Sequence, residues 1–237
     1  MEPYFTTYSG TIPFILLSLH GGNQDFEFSF ETRSSKHADL HTQLLAKQIH
    51  QSMNELPSLL LVHIHPGHVN ANQPLDLLLD ERKQAIWIAI HQWIENERKR
   101  YENPILVDIH GYAEQDNSMK IYRGTRYGEQ FHSPNPEWDL LWDTIIGTKF
   151  NMFPSLFINK REFSKYAGGY TTRTYPQTIQ LEFPLSIRQT EVLRKEFSLC
   201  FATFYEMYQT KISNQNSIIR FISMYIKKLI GFFKTKK

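Results

Sequence analysis

Apolar residues in this chain fall into short dense runs closed by histidine, glycine or proline, with helical periodicity between them. Pro13-Phe14-Ile15-Leu16-Leu17-Ser18-Leu19 stops at His20-Gly21-Gly22. A run so continuous and so short fits a strand covered on both faces, with the glycines allowing a sharp exit. From about Ser35 to Met53, Leu40, Leu44, Leu45 and Ile49 recur on one helical face, and Pro57 closes the unit. Leu59 to His65 reads as the next strand, ended by Pro66-Gly67. A loop with Asn70, Asn72 and Pro74 follows, then a helical pattern from about Asp76 to Tyr101 with Leu78, Leu79, Ile86, Ile90 and Trp93 inward. Ile105 to Ile109 is a third strand, leading into His110-Gly111-Tyr112.

Strand, helix, strand, helix, strand in this rhythm predicts right-handed crossovers. The fold class is therefore α/β, a three-layer α/β/α domain with a mostly parallel, mixed central sheet. Beyond Tyr112 the pattern loosens. Ile121 to Arg126 suggests a short strand and turn, Glu137 to Ile146 a helix, and Asn151 to Tyr170 irregular chain. Thr178 to Pro184 is a late strand and Ser186 to Tyr208 a final core helix.

Composition narrows the class. The 237 residues are 41% hydrophobic and 21% charged, enough apolar material for one packed domain. A single cysteine, Cys200, excludes an internal disulfide and a cysteine-based zinc cluster. Met1-Glu2-Pro3-Tyr4 carries no basic region of the kind that opens a signal peptide, so a cytoplasmic location is expected. Net charge is +2, but seven Lys or Arg residues and no acid follow from Lys211 onward. The body then holds 19 basic against 24 acidic residues, about −5, which argues against a nucleic-acid partner.

Candidate chemistry gathers at strand ends. In open parallel sheets ligands bind beyond the carboxyl ends of the strands, where His20, His65, His110 and Glu182 fall. A hydrolytic zinc site needs about three protein ligands, an open position for water and a nearby carboxylate base. His20 and Asp25 on one loop, with His110, make one such set. Asp108 shares a strand face with His110, as an outer partner of the imidazole or as a hydrogen-bonded core residue. His63, His65 and His68 have metal-binding composition too, with polar lining of the same cleft as the plainer reading.

These residues resemble a known family. His20-Gly21-Gly22 with Asp25, Asp108-Ile109-His110-Gly111-Tyr112, Gly168-Gly169-Tyr170 and Gln180-Leu181-Glu182 are similar, in that order across roughly residues 12 to 190, to the N-formylglutamate amidohydrolases. They also resemble phage poly-γ-glutamate hydrolases and, remotely, zinc carboxypeptidases. The resemblance implies a zinc-carboxypeptidase/phosphorylase-hydrolase-like fold. It also implies one Zn2+ held by His20, Asp25 and His110, with Glu182 as general base in hydrolysis of an amide of a carboxylate-bearing small molecule or peptide, such as an N-acyl amino acid or glutamyl compound. The family's Asp-x-Asn-Arg segment is Asn70-Ala71-Asn72-Gln73 here, which lacks the arginine that forks onto a substrate carboxylate. Asn72, Tyr112, Arg123, Tyr170 and Arg173 are the candidate substrate contacts. The neutral segment also motivates a second reading, a catalytically inactive ligand-binding or membrane-surface member.

Two units are expected, a catalytic domain over 1–210 and a basic amphipathic helix over 211–237. In residues 217–233, Ile218, Ile219, Phe221, Ile222, Tyr225, Ile226, Leu229, Ile230, Phe232 and Phe233 form one apolar arc flanked by Arg220, Lys227, Lys228 and Lys234. That pattern suits a peripheral contact with a membrane surface; packing on the body or on a second subunit is the alternative.

Overall fold

The crossings between the first long strands decide where a site can form. In the computed structural model, which describes residues 4–23, 39–102, 104–112, 121–124, 143–147, 150, 152–153 and 169–213, the strands are β1 (Phe5–Tyr8), β2 (Phe14–Ser18), β3 (Ser58–Val62), β4 (Ile105–Tyr112), β5 (Ile121–Gly124), β6 (Met152–Phe153) and β7 (Thr178–Pro184). They make one mixed sheet in the order β1-β3-β2-β4-β7-β5-β6. β3, β2, β4 and β7 run parallel, β1 pairs antiparallel with β3, and β5 pairs antiparallel with β7 and parallel with β6. The helices are α1 (Thr42–Ser52), α2 (Glu81–Lys99), α3 (Tyr170–Thr174), α4 (Leu185–Gln189) and α5 (Glu191–Ser213).

From β2 the chain crosses through α1 to β3 on one side, then through α2 back past β2 to β4 on the other. Reversing direction with the same handedness puts α1 and α2 on opposite faces. Burial follows that rule. Leu45, Ala46 and Ile49 of α1 join Phe197, Phe201 and Phe204 of α5 in one core with Phe14, Leu16, Leu59, Leu61, Val107 and Ile109. On the other face Ile86, Trp87, Ile90 and Ile94 of α2 cover Ile15, Leu17, Leu60, Val62 and Leu106. Successive strand residues alternate between the two cores, which is why these strands are apolar throughout. The three-layer α/β/α fold with a mostly parallel, mixed sheet is the one expected.

Three helices differ from the sequence expectation in their limits. The first starts at Thr42 instead of near Ser35, because His41 takes a left-handed backbone (φ 68°). Its buried face is Thr42, Leu45, Ala46 and Ile49, leaving Leu40 and Leu44 exposed. The second starts at Glu81, since the Asp80 carboxylate accepts from Arg82 N at 2.9 Å and Lys83 N at 3.3 Å and caps it there. Leu79 is consequently outside the helix and exposed. The last is broken at Thr190, whose ψ of 116° is extended, into α4 and α5. Of the helix expected over 137–146, the described part is a single π-helical turn, Asp143–Gly147.

Arg188 of α4 ties the carboxyl ends of the strands together. Its buried guanidinium donates from Nε to Phe183 O at 3.0 Å, from Nη2 to Tyr112 O at 2.9 Å and from Nη1 to Leu40 O. A Cβ on Gly111 would lie 2.3 Å from Arg188 Cζ, so the glycine after His110 is what admits this side chain. Arg188→Leu strands three carbonyls, at a cost of roughly 3 kcal/mol. Urea denaturation is expected to show that loss, and a similar one for Gly111→Ala.

Candidate metal centre

The strand order turns back between β2 and β4, and the crevice at their carboxyl ends is where open α/β sheets bind ligands. His20 lies two residues past β2, and His110 sits two residues before the end of β4, at the rim of the sheet. Their rings meet edge to face with centroids 4.5 Å apart. A carboxylate completes the group. Asp39 Oδ2 lies 3.0 Å from His110 Nδ1 and 3.6 Å from His20 Nδ1, and one ligand atom from each of the three residues falls within 4.8 Å of the others. Asp39 gets there because its own N–H donates to His20 O at 2.9 Å, while its carbonyl accepts from Thr42 N and Thr42 Oγ1 at the start of α1. A helix continuing through residue 39 would carry that carboxylate away.

The outer nitrogens fix which nitrogens face inward. Asn70 Oδ1 accepts from Asn72 N at 2.9 Å, so the atom facing His20 Nε2 at 2.7 Å is an oxygen. His20 Nε2 therefore carries the hydrogen and Nδ1 presents its lone pair towards Asp39. His110 Nε2 lies 3.1 Å from Asp108 Oδ2 and 3.1 Å from Asn72 Nδ2. His110 Nδ1 in turn is hydrogen-bonded to Asp39 Oδ2 at 3.0 Å; with a cation bound, donation from Nε2 to Asp108 would free Nδ1 as a ligand atom. Two imidazole nitrogens and a carboxylate oxygen converging on one point make a His-Asp-His donor set of the kind zinc takes, and the carboxylate behind His110 is a usual outer partner of a metal-bound histidine.

Electrostatics fit a cation. Asp108 is fully buried; Oδ2 accepts from Thr171 Oγ1 at 2.6 Å, and Oδ1 has no hydrogen-bond partner. Among the described residues no lysine or arginine pairs with Asp39, Asp108 or Glu182. Burial works against the charge on Asp39, but hydrogen bonds and charge from His110 and His20 outweigh it and hold the carboxyl far below its usual range. Burial likewise opposes a proton on His110, yet the Asp108 and Asp39 carboxylates, with Glu182 behind them, raise its pKa well above the ordinary value. Positive charge is favoured at this point, and a divalent ion could supply it, with His20, Asp39 and His110 as its ligands.

Glu182 reaches the same face through strand register. β4 and β7 pair His110 with Glu182, and β7 and β5 pair Glu182 with Tyr122, so the three form one row across the sheet. Gln180 N–H from Nε2 donates to Glu182 Oε1 at 2.6 Å, while Gln180 Oε1 accepts from Gly169 N at 2.6 Å. Burial raises the Glu182 pKa, with the Asp39 charge adding to it and His110, Gln180 and His20 opposing. A carboxyl tuned upward beside a metal-type donor set suits proton transfer.

Of the residues singled out from sequence, His20, His110, Glu182 and Asn72 come together. Asn72 Oδ1 accepts from Thr171 N at 3.0 Å and its Nδ2 lies 3.1 Å from His110 Nε2. Tyr112 stands at the end of β4 with its ring 5.0 Å from that of Tyr122. The Tyr170 ring packs 5.5 Å from Trp87 and 5.4 Å from His91, on the α2 side. Arg173 is exposed and its Nε donates to Gly169 O at 3.3 Å. Arg123 pairs through its backbone with Leu181, its side chain being outside the described residues. Asp25 also lies outside them. Asp39, Asn70, Thr171 and Tyr122 were not picked out as site residues from sequence; the His20-Asp39 contact is nineteen residues apart, and no local motif marks it. His63 is used by Thr6 Oγ1 at 2.7 Å and Gln43 Oε1 at 3.2 Å, and His65 Nδ1 by Gly67 N at 2.9 Å. His63, His65 and His68 form no metal-type group among the described residues.

With the fold and geometry in hand, known structures can be compared. The chain has the fold of an N-formylglutamate amidohydrolase from Ralstonia eutropha JMP134, with a TM-score of 0.64 over 85% of this chain and 97% of that one at 12% identity. It is equally similar to the gene product Atu2144 from Agrobacterium tumefaciens, at a TM-score of 0.64, 9% identity and coverage of 89% and 95%. No protein-family model matches the sequence, and no curated relative matches it. At these identities the likeness is one of fold.

The loop over His110 is held from below by His91. Its Nε2 donates to Ala71 O at 2.9 Å and its Nδ1 accepts from Tyr175 Oη at 2.6 Å, with the ring stacked on Trp87 at 3.8 Å. Burial pushes its pKa down to about 4, against 6.5 ordinarily, with the Ala71 hydrogen bond and the Asp108 charge opposing. The unfolded chain thus takes up a proton between pH 6.5 and 4 that the folded chain refuses, and stability falls as pH drops through that window, by up to about 3 kcal/mol. Urea denaturation at pH 7 and pH 4.5 is expected to show a shallower fall for His91→Gln than for the native chain.

Proposed function

We propose that this protein is a metal-dependent amide hydrolase holding one zinc ion between His20, Asp39 and His110, with Glu182 as general base. The observation that carries the reading is the convergence of the two Nδ1 atoms and the Asp39 carboxylate at the β2–β4 crevice, with a buried, upward-tuned carboxyl in the adjacent strand. A zinc ion there would supply Lewis acidity, polarising an amide carbonyl and making water a competent nucleophile near neutral pH. Glu182 accepts the proton of the attacking water and returns it to the amide nitrogen as the carbon–nitrogen bond breaks, yielding a carboxylic acid and an amine. Gln180 holds Oε1, which assigns the proton to Oε2. With the ion bound, His20 and His110 would turn Nδ1 to it while their outer nitrogens face Asn70 and Asp108.

The fold shared with an N-formylglutamate amidohydrolase supports an amide bond as target, and we take the substrate to be an N-acyl amino acid or glutamyl compound bearing a carboxylate. Tyr112, Asn72, Tyr170, Arg123 and Arg173 are the proposed substrate contacts. The purified protein is expected to carry about one zinc per chain and His110→Ala to lose it; zinc retained at full occupancy by that variant would sink the reading. Glu182→Gln should keep the metal while turnover on a panel of acyl-amino acids and γ-glutamyl peptides falls roughly 10²- to 10⁴-fold.

For location we propose a cytoplasmic protein with peripheral membrane contact through residues 217–233, which lie outside the described residues. Among the described residues no helix is long and apolar enough to cross a membrane. Sedimentation with anionic liposomes should retain the full chain and release a version ending near Lys211. Equal behaviour of the two removes the membrane role.

A further inference from the structure

The segment Asn70-Ala71-Asn72 touches both histidines of the metal centre. Asn70 Oδ1 accepts from His20 Nε2 at 2.7 Å, and Asn72 Nδ2 lies 3.1 Å from His110 Nε2. Between them, Ala71 O accepts from His91 and Asn72 O accepts from Tyr170 N at 3.2 Å. Every polar group named in this tripeptide is engaged, Asn72 is buried, and Gly169 lies so close that a Cβ there would sit 2.1 Å from Asn72 Nδ2. The segment is a fixed frame, and the two imidazoles rest against it.

The two ligands are backed unequally. His110 has the fully buried Asp108 carboxylate on its outer nitrogen, and His20 has only the neutral amide oxygen of Asn70. An outer carboxylate makes an imidazole a stronger donor as well as orienting it; an amide orients it with much less gain in basicity. We propose that Asn70 is a positioning residue that selects the Nε2–H tautomer of His20, and that its neutrality holds zinc affinity below what the same geometry allows. The proposal rests on the metal-centre reading above.

Zinc titrations in competition with a chromophoric chelator, on the full chain, test it. Asn70→Ala is expected to weaken zinc binding about 10- to 100-fold, the usual cost of losing an outer partner. Asn70→Asp keeps the size and the acceptor and adds the charge, so it should bind zinc at least several-fold more tightly than the native chain. The absorption spectrum of the cobalt-loaded Asn70→Asp protein should stay tetrahedral in type, as expected of an unchanged ligand set. A role for Asn70 limited to its turn with Asn72 N would leave Asn70→Asp equal to or weaker than native, and that result overturns the proposal even if Asn70→Ala is impaired. Native protein that binds no zinc would instead remove the metal-centre reading, and this proposal with it.

Discussion

Asp108 is a carboxylate with no exposed surface, placed directly under His110. Charge in such a position is costly unless something of opposite sign is held against it. The neighbours answer that demand only in part. Thr171 gives Oδ2 one hydrogen bond, His110 gives it another, and Oδ1 receives none. Asp39 and Glu182 add two more carboxyl groups within reach of the same imidazole, and none of the three pairs with lysine or arginine among the described residues. Positive charge at His110 is favoured by this arrangement, and the rest of the crevice holds the two imidazoles that could bind a cation.

That building is done by segments whose own hydrogen bonds leave them little choice. The loop after β3 is pinned by His91 and Tyr170, the start of α3 by Asn72 and Gln180, and the end of β4 by Arg188. The apolar half of the sheet face under α2, from Ile15 and Leu60 to Leu106, passes at its carboxyl edge into the polar row of Asp108, His110, Gln180 and Glu182. One period-two alternation therefore sets both the core and the site. Since β2, β3 and β4 run parallel, the loops leaving them all open at the same edge of the sheet.

Strand identity and the placement of His20, His110 and Glu182 were legible in sequence for this reason: each sits at the end of an apolar run, and a run's end is a local signal. The fold class followed from the alternation of runs and helical periods. Asp39 was not legible. It occupies a stretch whose leucines, Leu40 and Leu44, share a helical period with Leu45 and Ile49, so it reads as helix. The left-handed turn at His41 interrupts that period, and its cause is tertiary, the contact of Asp39 N with His20 O. Leu79 misled in the same way, because Asp80 fixes the start of α2 through its side chain. The row joining His110, Glu182 and Tyr122 needs the register between β5 and β7, which no single strand encodes.

Charge also constrains what the site can recognise. With a divalent ion in place, Asp39, Asp108 and Glu182 leave it one net negative charge, which repels an anionic substrate. A carboxylate-bearing amide therefore needs a cation at the rim, and Gln73, where a fork-shaped guanidinium would serve, is neutral and exposed. Arg173 is the proposed candidate for that part: its Nε donates to Gly169 O, and Gly169 packs against Asn72, one side chain from His110. The exposed guanidinium can approach a substrate carboxylate while its base stays anchored to the frame. In the proposed hydrolase, α3 would thus carry recognition of the substrate anion, and the loop after β3 would brace the metal ligands.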